Sequence, residues 1–363
     1  SADLIIDGIF GHGLTRPLQG ELADLVRHLD QSDIPVLALD IPSGINSDTG
    51  AVMACALHAD VSCSFIAPKR GMYTGAGPDY AGEIHEVLLG VSAQIYRGIK
   101  PACEVISLAS LKPLLPAPRL ASHKGDFGHV AVIGGQPGMV GAVILAALAA
   151  ARSGAGRVTV LSDISHIQLI QQANPILMTR SINAEGALDL PDSITAIALG
   201  PGLGCPASVS PEGARQAQQN WSVAVFEAAL CLAEQRDLPL LVDADALNLL
   251  AVLPRQSSRW ILSPHPKEAA TLLGVRVQDV EADRPAACLQ IAQRYGGVCV
   301  LKGKGSLISD GGTRLSICTA GNWGMATAGS GDVLSGMIAA FLASGIPAYD
   351  AARLAVWVHA RAG

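Results

Sequence analysis

The sequence predicts an α/β fold in which a doubly wound, mostly parallel sheet follows a second, smaller α/β unit. Short apolar runs alternate with helical segments along most of the 363 residues, a pattern typical of parallel strands covered by helices on both faces. Glycine is abundant (39 residues) and aromatic residues make up only 4%, which favours tight strand–helix turns over an all-β sandwich. The length is sufficient for two domains.

Composition and charge exclude several classes of protein. Half of the residues are hydrophobic and 15% are charged, which indicates a globular chain. The net charge is −6 and no Lys/Arg cluster is present, so we expect no nucleic-acid partner. The longest apolar run, GMVGAVILAALAAA, is shorter than the ~20 residues that span a bilayer, so we expect no membrane partner. The eight cysteines form no C-x-x-C pair, and we interpret most of them as reduced core thiols of a cytoplasmic protein.

Residues 1–98 predict the smaller α/β unit. The apolar runs ADLIIDGIF, PVLALDIPSG, ADVSCSFIA and GEIHEVLLG predict four strands, and Glu21–Leu29 predicts a helix between the first two. Because a domain does not normally start with a central strand, we expect the first elements of this sheet to be absent. A Pro-rich stretch at 99–125 then predicts a linker with a short helix.

Residues 126–363 predict the larger sheet. Its strands correspond to the runs HVAVIGG, RVTVLSD, AIALGPG, LPLLVDADAL, RWILSPHP and VCVLKG. Helical patterns lie between most of them, the clearest at Gly138–Ser153. The final run, RLAVWVHARAG, ends inside a helix, so we expect the end of this domain to be absent as well. Several strands end in Gly, Asp or His, at the edge where open α/β sheets bind ligands.

The strongest functional signal is GNWGMATAGSGDVLSGMIAAFLASG, at residues 321–345. Several glycines precede a long apolar helix, and free amides at a helix N-terminus bind anions. Asp332 stands at the start of that helix, where it either caps the helix or handles a proton beside a phosphate. A cap needs a single residue, so the number of glycines favours a phosphate-binding loop with its own base.

Weaker signals follow other strands. GPGLG (200–204) is either a simple turn or a ligand loop, and the second acid of VDADALN, Asp245, alternatively caps the next helix. His265 stands between two prolines before a helix, and LKGKGS (301–306) places a lysine and two glycines where phosphate oxygens could bind. Two phosphate motifs are excluded, because LKGKGS lacks the P-loop spacing and VIGGQPGMVG does not give G-x-G-x-x-G.

Taken together, these motifs resemble the ADP-dependent NAD(P)H-hydrate dehydratase family, which has a ribokinase-like fold. The segments that carry the resemblance are HKGDFGHVAVIGG, GPGLG, DADALNLL, SPHPKEAATLLG, VLKGKGS and GNWGMATAGSGDVLSGMIAA. The front segments DLIIDGIFGHGLTRPL and ALDIPSGINSDTG resemble the NAD(P)H-hydrate epimerase domain, which is a Rossmann-like α/β domain and is expected here in truncated form. The six or more ordered motifs cover nearly the whole chain.

The resemblance implies repair of nicotinamide nucleotides. NAD(P)H that has added water forms NADHX or NADPHX in two epimers, which the epimerase interconverts. The dehydratase restores NAD(P)H from the S epimer, with ADP and Mg²⁺, and releases AMP and phosphate. The resemblance also implies K⁺ in the epimerase domain, and we expect a cytoplasmic homo-oligomer with only small-molecule substrates as partners. Because part of the epimerase site is expected to precede Ser1, we expect these residues alone to lack epimerase activity.

Family patterns also assign site residues, which we take as predictions. The catalytic group comprises Asp332 as the base and the loop amides of Gly329, Ser330 and Gly331. The ADP group comprises Lys302, Gly303, Lys304, Gly305, Ser306, Asn322, Trp323, Gly324, Met325, Ala326, Thr327 and Ala328. The hydrate group comprises Ala142, Gly202, His265, Pro266, Lys267, Glu268, Ala269, Ala270, Thr271 and Asp332. The epimerase group comprises Gly11, His12, Gly13, Leu14, Thr15, Arg16, Pro17 and Asp40, with Asp7 and Ser43 as potassium ligands.

Two positions depart from the family pattern, and two other functions stay open. The family often has Gly in place of Lys267 and Thr in place of Ser306; Ser keeps the hydroxyl, and we expect Lys267 to face solvent. A ribokinase-like kinase of a vitamin-precursor alcohol would share the glycine loop and Asp332, although it would not explain the epimerase-like front. A catalytically inactive nucleotide-binding module is the alternative from another class. Release of AMP from ADP separates the dehydratase from both.

Overall fold

The computed structural model describes residues 2–115, 117–205 and 221–363. Within these residues the strands form one sheet of four strands and one of ten. This arrangement agrees with the predicted small α/β unit followed by a larger doubly wound sheet.

The front sheet has the order β1-β2-β3-β4, and each neighbouring pair is parallel. Its strands are β1 (Ile5–Asp7), β2 (Val36–Leu39), β3 (Val61–Phe65) and β4 (Glu83–Val87). Helix α1 (Gly20–Asp30) joins β1 to β2 and buries Ala23 and Val26, and the short α2 (Gly77–Tyr80) precedes β4. The four predicted strands and the predicted helix are therefore confirmed, with each strand shorter than its apolar run.

The large sheet has the order β5-β14-β13-β12-β11-β10-β9-β6-β7-β8. Seven of its neighbouring pairs are parallel, and only the two pairs made by β13 are antiparallel. Its strands are β5 (Glu104–Val105), β6 (His129–Ile133), β7 (Arg157–Asp163), β8 (Met178–Ile182), β9 (Ala196–Leu199), β10 (Leu240–Val242), β11 (Trp260–Leu262), β12 (Val298–Leu301), β13 (Ser306–Ser309) and β14 (Leu315–Cys318).

Helices cover both faces of the large sheet. The helices are α3 (Leu108–Leu111), α4 (Val140–Arg152), α5 (Ile167–Ala173), α6 (Trp221–Gln235), α7 (Asp245–Val252), α8 (Pro266–Leu273), α9 (Val277–Ala282), α10 (Arg284–Tyr295), α11 (Ser330–Ala343) and α12 (Ala348–Ala362). Alternate residues of β6 point to opposite faces: Ile133 joins the core under α6, α7, α8 and α10, and Val132 joins the core under α4, α11 and α12. Both cores are thus formed by one sheet, as a doubly wound fold requires.

Several elements were not predicted from the sequence. The segment taken as a linker contains β5, which pairs with β14 at the edge of the large sheet. The edge strand β8 and the β13–β14 hairpin were also missed. The large sheet therefore begins before residue 126, while the predicted short helix of the linker is present as α3.

The prediction that most cysteines are core thiols is wrong. None of the eight, all of which lie in the described residues, takes part in a disulfide, but only Cys288, Cys299 and Cys318 are buried. Cys205 and Cys231 are exposed and the other three are half-buried, because an apolar run also contains positions that face outwards. In the described residues, no helix is both long and apolar enough to cross a membrane.

Candidate active site

The candidate site lies at the carboxyl ends of β6 and β9, where the strand order reverses. β6 pairs with β7 on one side and with β9 on the other, so the connections leave in opposite directions and open a crevice between the two loops. The loops are hydrogen-bonded to each other: the Gly135 N–H donates to the Pro201 carbonyl (3.0 Å) and the Gln136 N–H to the Gly202 carbonyl (2.7 Å). The topology and these two bonds fix the floor of the crevice.

Gly202 of the predicted GPGLG loop lies directly in this crevice. Its φ of 57° is left-handed, and a Cβ on it would lie 2.6 Å from the Met139 carbonyl oxygen. A side chain at this position would therefore be strained and would also collide with the start of α4. The motif is a tight turn, and that turn forms part of the cavity wall.

A cavity of about 330 Å³ opens above this loop. It brings together seven of the predicted hydrate residues: Ala142, Gly202, His265, Lys267, Glu268, Thr271 and Asp332. The remaining three, Pro266, Ala269 and Ala270, do not line it; the two alanines are buried in the core. The cavity also contains residues that were not predicted as site residues: Met139, Ala244, Asp245 and Asn248.

Asp332 is not the N-cap of its helix, so that alternative is wrong. The N-cap of α11 is Gly329, in a left-handed conformation (φ 87°), and Asp332 is the third residue of the helix. That φ favours glycine, and a Cβ on Gly329 would lie 2.5 Å from Leu145 Cδ1 of α4, which would have to move. Farther along α11, a Cβ on Gly336 would overlap the Ala146 carbonyl oxygen. Glycines thus let α11 pack closely on α4 and hold Asp332 over the cavity.

The Asp332 carboxylate has the properties of a proton acceptor. Among the described residues it has no hydrogen-bond or ion-pair partner, although it is half-buried. Burial, followed by the negative charge of Asp243, raises the pKa of Asp332 to about 6, and Lys302 opposes this rise. A pKa just below neutrality keeps the group mostly ionised at pH 7 while leaving it basic enough to accept a proton.

Lys302 sits between the cavity and the glycine loop. Its Nζ lies 2.8 Å from Asp243 Oδ1 and 3.8 Å from Glu268 Oε2, and a Cβ on Gly331 would lie 3.6 Å from it. Burial lowers the pKa of Lys302, but Asp243 and Glu268 outweigh that effect and the pKa is raised overall. Lys302 is therefore a fixed positive charge beside the amides at the start of α11.

Asp243, the main partner of Lys302, was not among the predicted site residues. It is buried at the carboxyl end of β10 and also accepts a hydrogen bond from the Ser335 hydroxyl of α11. The next acid, Asp245, does not cap α7, because Ala244 is the N-cap; instead its Oδ2 accepts the Gly204 N–H (2.8 Å). The VDADALN motif at the strand end was the signal for both residues.

His265 is the N-cap of α8 as well as a residue of the cavity. Its Nδ1 accepts the N–H groups of Lys267 (3.1 Å) and Glu268 (3.2 Å), and Glu268 Oε2 accepts the His265 N–H (2.7 Å). This reciprocal arrangement is a capping box, with His as the cap and Glu at the third helical position. Burial, opposed by Lys302, raises the pKa of Glu268 to about 7. Lys267 is exposed at the rim, as expected.

The predicted ADP residues form two segments, the turn at 302–306 that begins with Lys302 and the segment at 322–328 that precedes the glycine loop at 329–331. In the turn at 302–306, the Ser306 hydroxyl donates to the Gly303 carbonyl (2.9 Å), so it stabilises the turn itself. In the segment at 322–328, Asn322 Oδ1 accepts the Gly324 N–H (2.8 Å) and Trp323 is 93% exposed. Ser330 Oγ lies 3.3 Å from His359 Nε2 of α12, a contact that was not anticipated.

The predicted residues of the front domain gather at the carboxyl ends of β1 and β2. Ser43 donates its N–H and its hydroxyl to the two oxygens of Asp7 (2.7 and 2.6 Å), and both residues are buried. Asp40 forms an ion pair with Lys69, which was not predicted, and lies 3.7 Å from His12 Nδ1. The other residues of the 11–17 loop lie beside these, with Gly13, Thr15, Arg16 and Pro17 exposed and Gly11 and Leu14 half-buried.

Comparison with known proteins gives a consistent result. A family model described as NAD(P)H-hydrate dehydratase matches residues 130–363, and one described as YjeF-related protein N-terminus matches residues 1–71. A bifunctional NAD(P)H-hydrate repair enzyme of Coxiella burnetii is 40% identical over 361 residues, covering 99% of this chain and 70% of that protein.

Two solved structures show the same fold. A ribokinase-like superfamily protein of Enterococcus faecalis aligns with a TM-score of 0.61 and 25% identity over 72% of this chain and 88% of its own. An ADP/ATP-dependent NAD(P)H-hydrate dehydratase of Bacillus subtilis, co-crystallised with ATP and Mg²⁺, aligns with a TM-score of 0.59 and 28% identity over 71% of this chain and 88% of its own. The chain has a ribokinase-like fold and belongs to the family of bifunctional NAD(P)H-hydrate repair enzymes.

Proposed function

We propose that this chain restores NAD(P)H from the S epimer of its hydrate, consuming ADP and releasing AMP and phosphate. Its family membership supports the repair reaction. The chemistry rests on one observation: Asp332 is half-buried over the cavity and has no partner among the described residues, with a pKa raised to about 6. Such a carboxylate is suited to accept a proton from a substrate hydroxyl.

Hydroxide is a poor leaving group, so the hydrate hydroxyl is phosphorylated before it leaves, and Asp332 is the base for that step. Asp332 accepts the proton of the hydrate hydroxyl as that oxygen bonds to the β-phosphorus of ADP. The bond from this phosphorus to the α–β bridging oxygen breaks, and AMP leaves. Phosphate then departs with the electron pair of the C–O bond while the nicotinamide nitrogen donates its lone pair, and loss of a proton from the adjacent ring carbon restores the double bond.

Charge stabilisation comes from the start of α11 and from Lys302. The Gly331 N–H lies in the first turn of the helix, where a free amide favours an anion, whereas the Ser330 N–H donates to the Thr327 carbonyl oxygen (3.3 Å). The Lys302 ammonium is beside Gly331. We assign ADP to the turn at 302–306 and the segment at 322–328, and the hydrate to the residues that line the cavity together with Asp332.

Metal ions have a limited place in this proposal. Among the described residues no group of three His, Cys, Asp or Glu side chains is arranged to hold a metal ion, so Mg²⁺ would be held mainly by the phosphates of the nucleotide. In the front domain the adjacent oxygens of Asp7 and Ser43 are suitable donors for K⁺, which would add a fixed positive charge beside the epimerase substrate.

We also propose a division of the chain into three parts. Residues 1–98 form the epimerase domain, whose substrate group lies on the 11–17 loop and Asp40. Residues 99–125 connect the two domains, and residues 126–363 form the dehydratase domain.

Location and assembly are also proposals. No disulfide joins the cysteines of the described residues, which is consistent with a reducing compartment, and we propose the cytoplasm, where a homo-oligomer would act on NADHX, NADPHX and ADP.

The test is recovery of NAD(P)H from its purified S hydrate, with ADP or ATP, and with AMP and phosphate measured in parallel. The proposal expects NAD(P)H and AMP to appear in equal amounts with ADP, and neither product to appear with the Asp332→Asn variant. Phosphorylation of an added vitamin-precursor alcohol without NAD(P)H recovery would favour the kinase. Binding of ADP with no turnover of any substrate would favour the binding module.

A further inference from the structure

A buried arginine lies where the two domains meet. Arg284, the first residue of α10, is 2% exposed. Its Nε lies 3.3 Å from Thr74 Oγ1 of the front domain, its Nη1 3.1 Å from Glu281 Oε1, and its Nη2 3.0 Å from the Lys302 carbonyl oxygen. All three nitrogens of one guanidinium are therefore used, and one of them reaches the other domain.

The turn at 302–306 rests directly on the front domain. Gly305 is buried with a φ of 63°, and a Cβ on it would overlap the Tyr73 carbonyl oxygen and lie 3.2 Å from Thr74 Cα. A Cβ on Gly303 would lie 2.9 Å from Arg284 Nη2. The two glycines thus bring the turn into van der Waals contact with Tyr73–Thr74 on one side and with Arg284 on the other.

The support under the turn is itself well anchored. Thr74 is fully buried, and its carbonyl accepts the Gly77 N–H (3.2 Å). Tyr73 packs against a core cluster of the front domain and also against the core under α8 and α10. Residues 73–74 therefore belong to the front domain and pack firmly against the core of the large domain as well.

Arg284 acts on the candidate active site through the backbone of Lys302. The Lys302 N–H donates to the Pro264 carbonyl (2.9 Å) and its carbonyl accepts from Arg284, so both ends of the residue are held. Its side chain reaches Asp243 and the vicinity of Gly331. A shift of the turn would move the ammonium away from the start of α11.

We propose that Arg284 is a positioning residue for the nucleotide, and that it holds the 302–306 turn in place by bonding it to Thr74 of the front domain. The front domain then forms part of the support of the dehydratase site. This inference rests on the assignment of ADP to that turn in the proposed function.

The test compares four variants of the whole chain: Arg284→Lys, Arg284→Met, Thr74→Val and Lys302→Met. The KM for ADP, the KM for the hydrate and kcat are measured for each, together with the melting temperature. Arg353→Met is the matched control, because Arg353 is also a buried, ion-paired arginine, bound to Glu104 (2.5 Å) and Asp350 (3.3 Å), but does not touch the turn.

We expect Thr74→Val to raise the KM for ADP by about threefold to tenfold, the effect of one lost hydrogen bond of ordinary strength, because Thr74 acts on ADP only through the turn, and to leave the KM for the hydrate unchanged. Arg284→Lys, which keeps the charge but loses the planar fork, should lie between the wild type and Arg284→Met. Arg353→Met should lower the melting temperature without changing either KM.

Three results would overturn the inference, and they differ in meaning. Equal rises in both KM values, or a lower melting temperature with unchanged KM for ADP, would make Arg284 a purely structural residue and leave the proposed function intact. An unchanged KM for ADP in Lys302→Met would remove ADP from the turn and overturn this inference, whereas a wild type that recovers no NAD(P)H with ADP would overturn the proposed function itself. If Arg284→Met does not fold, Thr74→Val and Arg284→Lys decide the question.

Discussion

Replacing Asp332 by Asn is expected to abolish dehydration and, at neutral pH, to stabilise the protein. The loss of a positioned base costs roughly 10²–10⁴-fold in turnover. Binding of ADP should persist, because Asn keeps the size of the side chain. The stability effect has an independent origin, in the cost of holding an ionised carboxylate half-buried beside Asp243.

The magnitude follows from the raised pKa of Asp332, which moves from 3.8 to about 6. The folded state binds a proton more tightly than the unfolded state, so stability is lost as pH rises from about 4 to about 6, and the cost is fully present above pH 6. This rise in the pKa of Asp332 corresponds to roughly 3 kcal/mol of lost stability. Partial solvent exposure and the favourable helix N-terminus reduce the net cost to roughly 1 kcal/mol. Asn carries no charge, so the variant does not have this cost.

The assay combines turnover with thermal unfolding at pH 4, 6 and 8. We expect the variant to melt about 2–4 °C above the wild type at pH 8 and at the same temperature at pH 4, with wild-type kcat/KM falling tenfold per pH unit below about 6. Asp350→Asn is the control, because Asp350 is also the third residue of a helix but is paired with Arg353 (3.3 Å); it should lose stability and keep full turnover. An Asp332→Asn variant that keeps more than about a tenth of the turnover, or that melts below the wild type at pH 8, would refute the reasoning.

Two further predictions concern the charges and the glycine around Asp332. Lys302 lowers the pKa of Asp332 and Asp245 raises it, so Lys302→Met should move the acid limb of the pH–rate profile to higher pH and Asp245→Asn should move it to lower pH. Shifts in the same direction would contradict this electrostatic account. Gly329→Ala should cost roughly 1–2 kcal/mol, because of its left-handed φ, and should lower the turnover, because its Cβ would displace the end of the Leu145 side chain at the start of α11. Gly345→Ala is the control for the strain, since Gly345 has a φ of 85° and open space around its Cβ; it should cost about the same stability in chemical denaturation and keep full turnover, and an equal loss of turnover in the two variants would contradict the role of the α4 contact.

The buried strands could be predicted because their apolar runs are continuous, whereas the missed strands lack that signal. β8 (MTRSI) is a partly exposed edge strand with polar residues on one face, and β5 contains two residues whose strand conformation depends on pairing with β14. The β13–β14 hairpin carried a turn signal in Asp310-Gly311-Gly312, which was overlooked beside the LKGKGS motif.

For the candidate site, motifs at strand ends predicted where the residues gather but not which of them pair. Lys302 meets Asp243, which is 59 residues earlier, and Lys69 meets Asp40, which is 29 residues earlier; only the folded chain brings these partners together. The capping box at His265 was readable from the sequence, since a cap and an acid three residues later is a local pattern. Asp245 and Asn248 could also have been predicted from the sequence to lie together, because a spacing of three places them on one face of α7.

The attachment of the connecting segment to the large sheet bears on how substrates enter. β5 is hydrogen-bonded to β14, and Glu104 of β5 is paired with Arg353, so the connecting segment is fixed to the large sheet at residues 104–105. Swinging the two domains apart would also break the contacts of Arg284 with Thr74. We therefore expect access to the proposed nucleotide position to depend on the largely exposed 322–328 segment, and loop motions of this kind run on nanosecond to microsecond timescales, faster than the microsecond to millisecond closure of hinged domains. We expect nucleotide exchange in this enzyme to be governed by loop opening, without the slow step that domain closure imposes on hinged kinases.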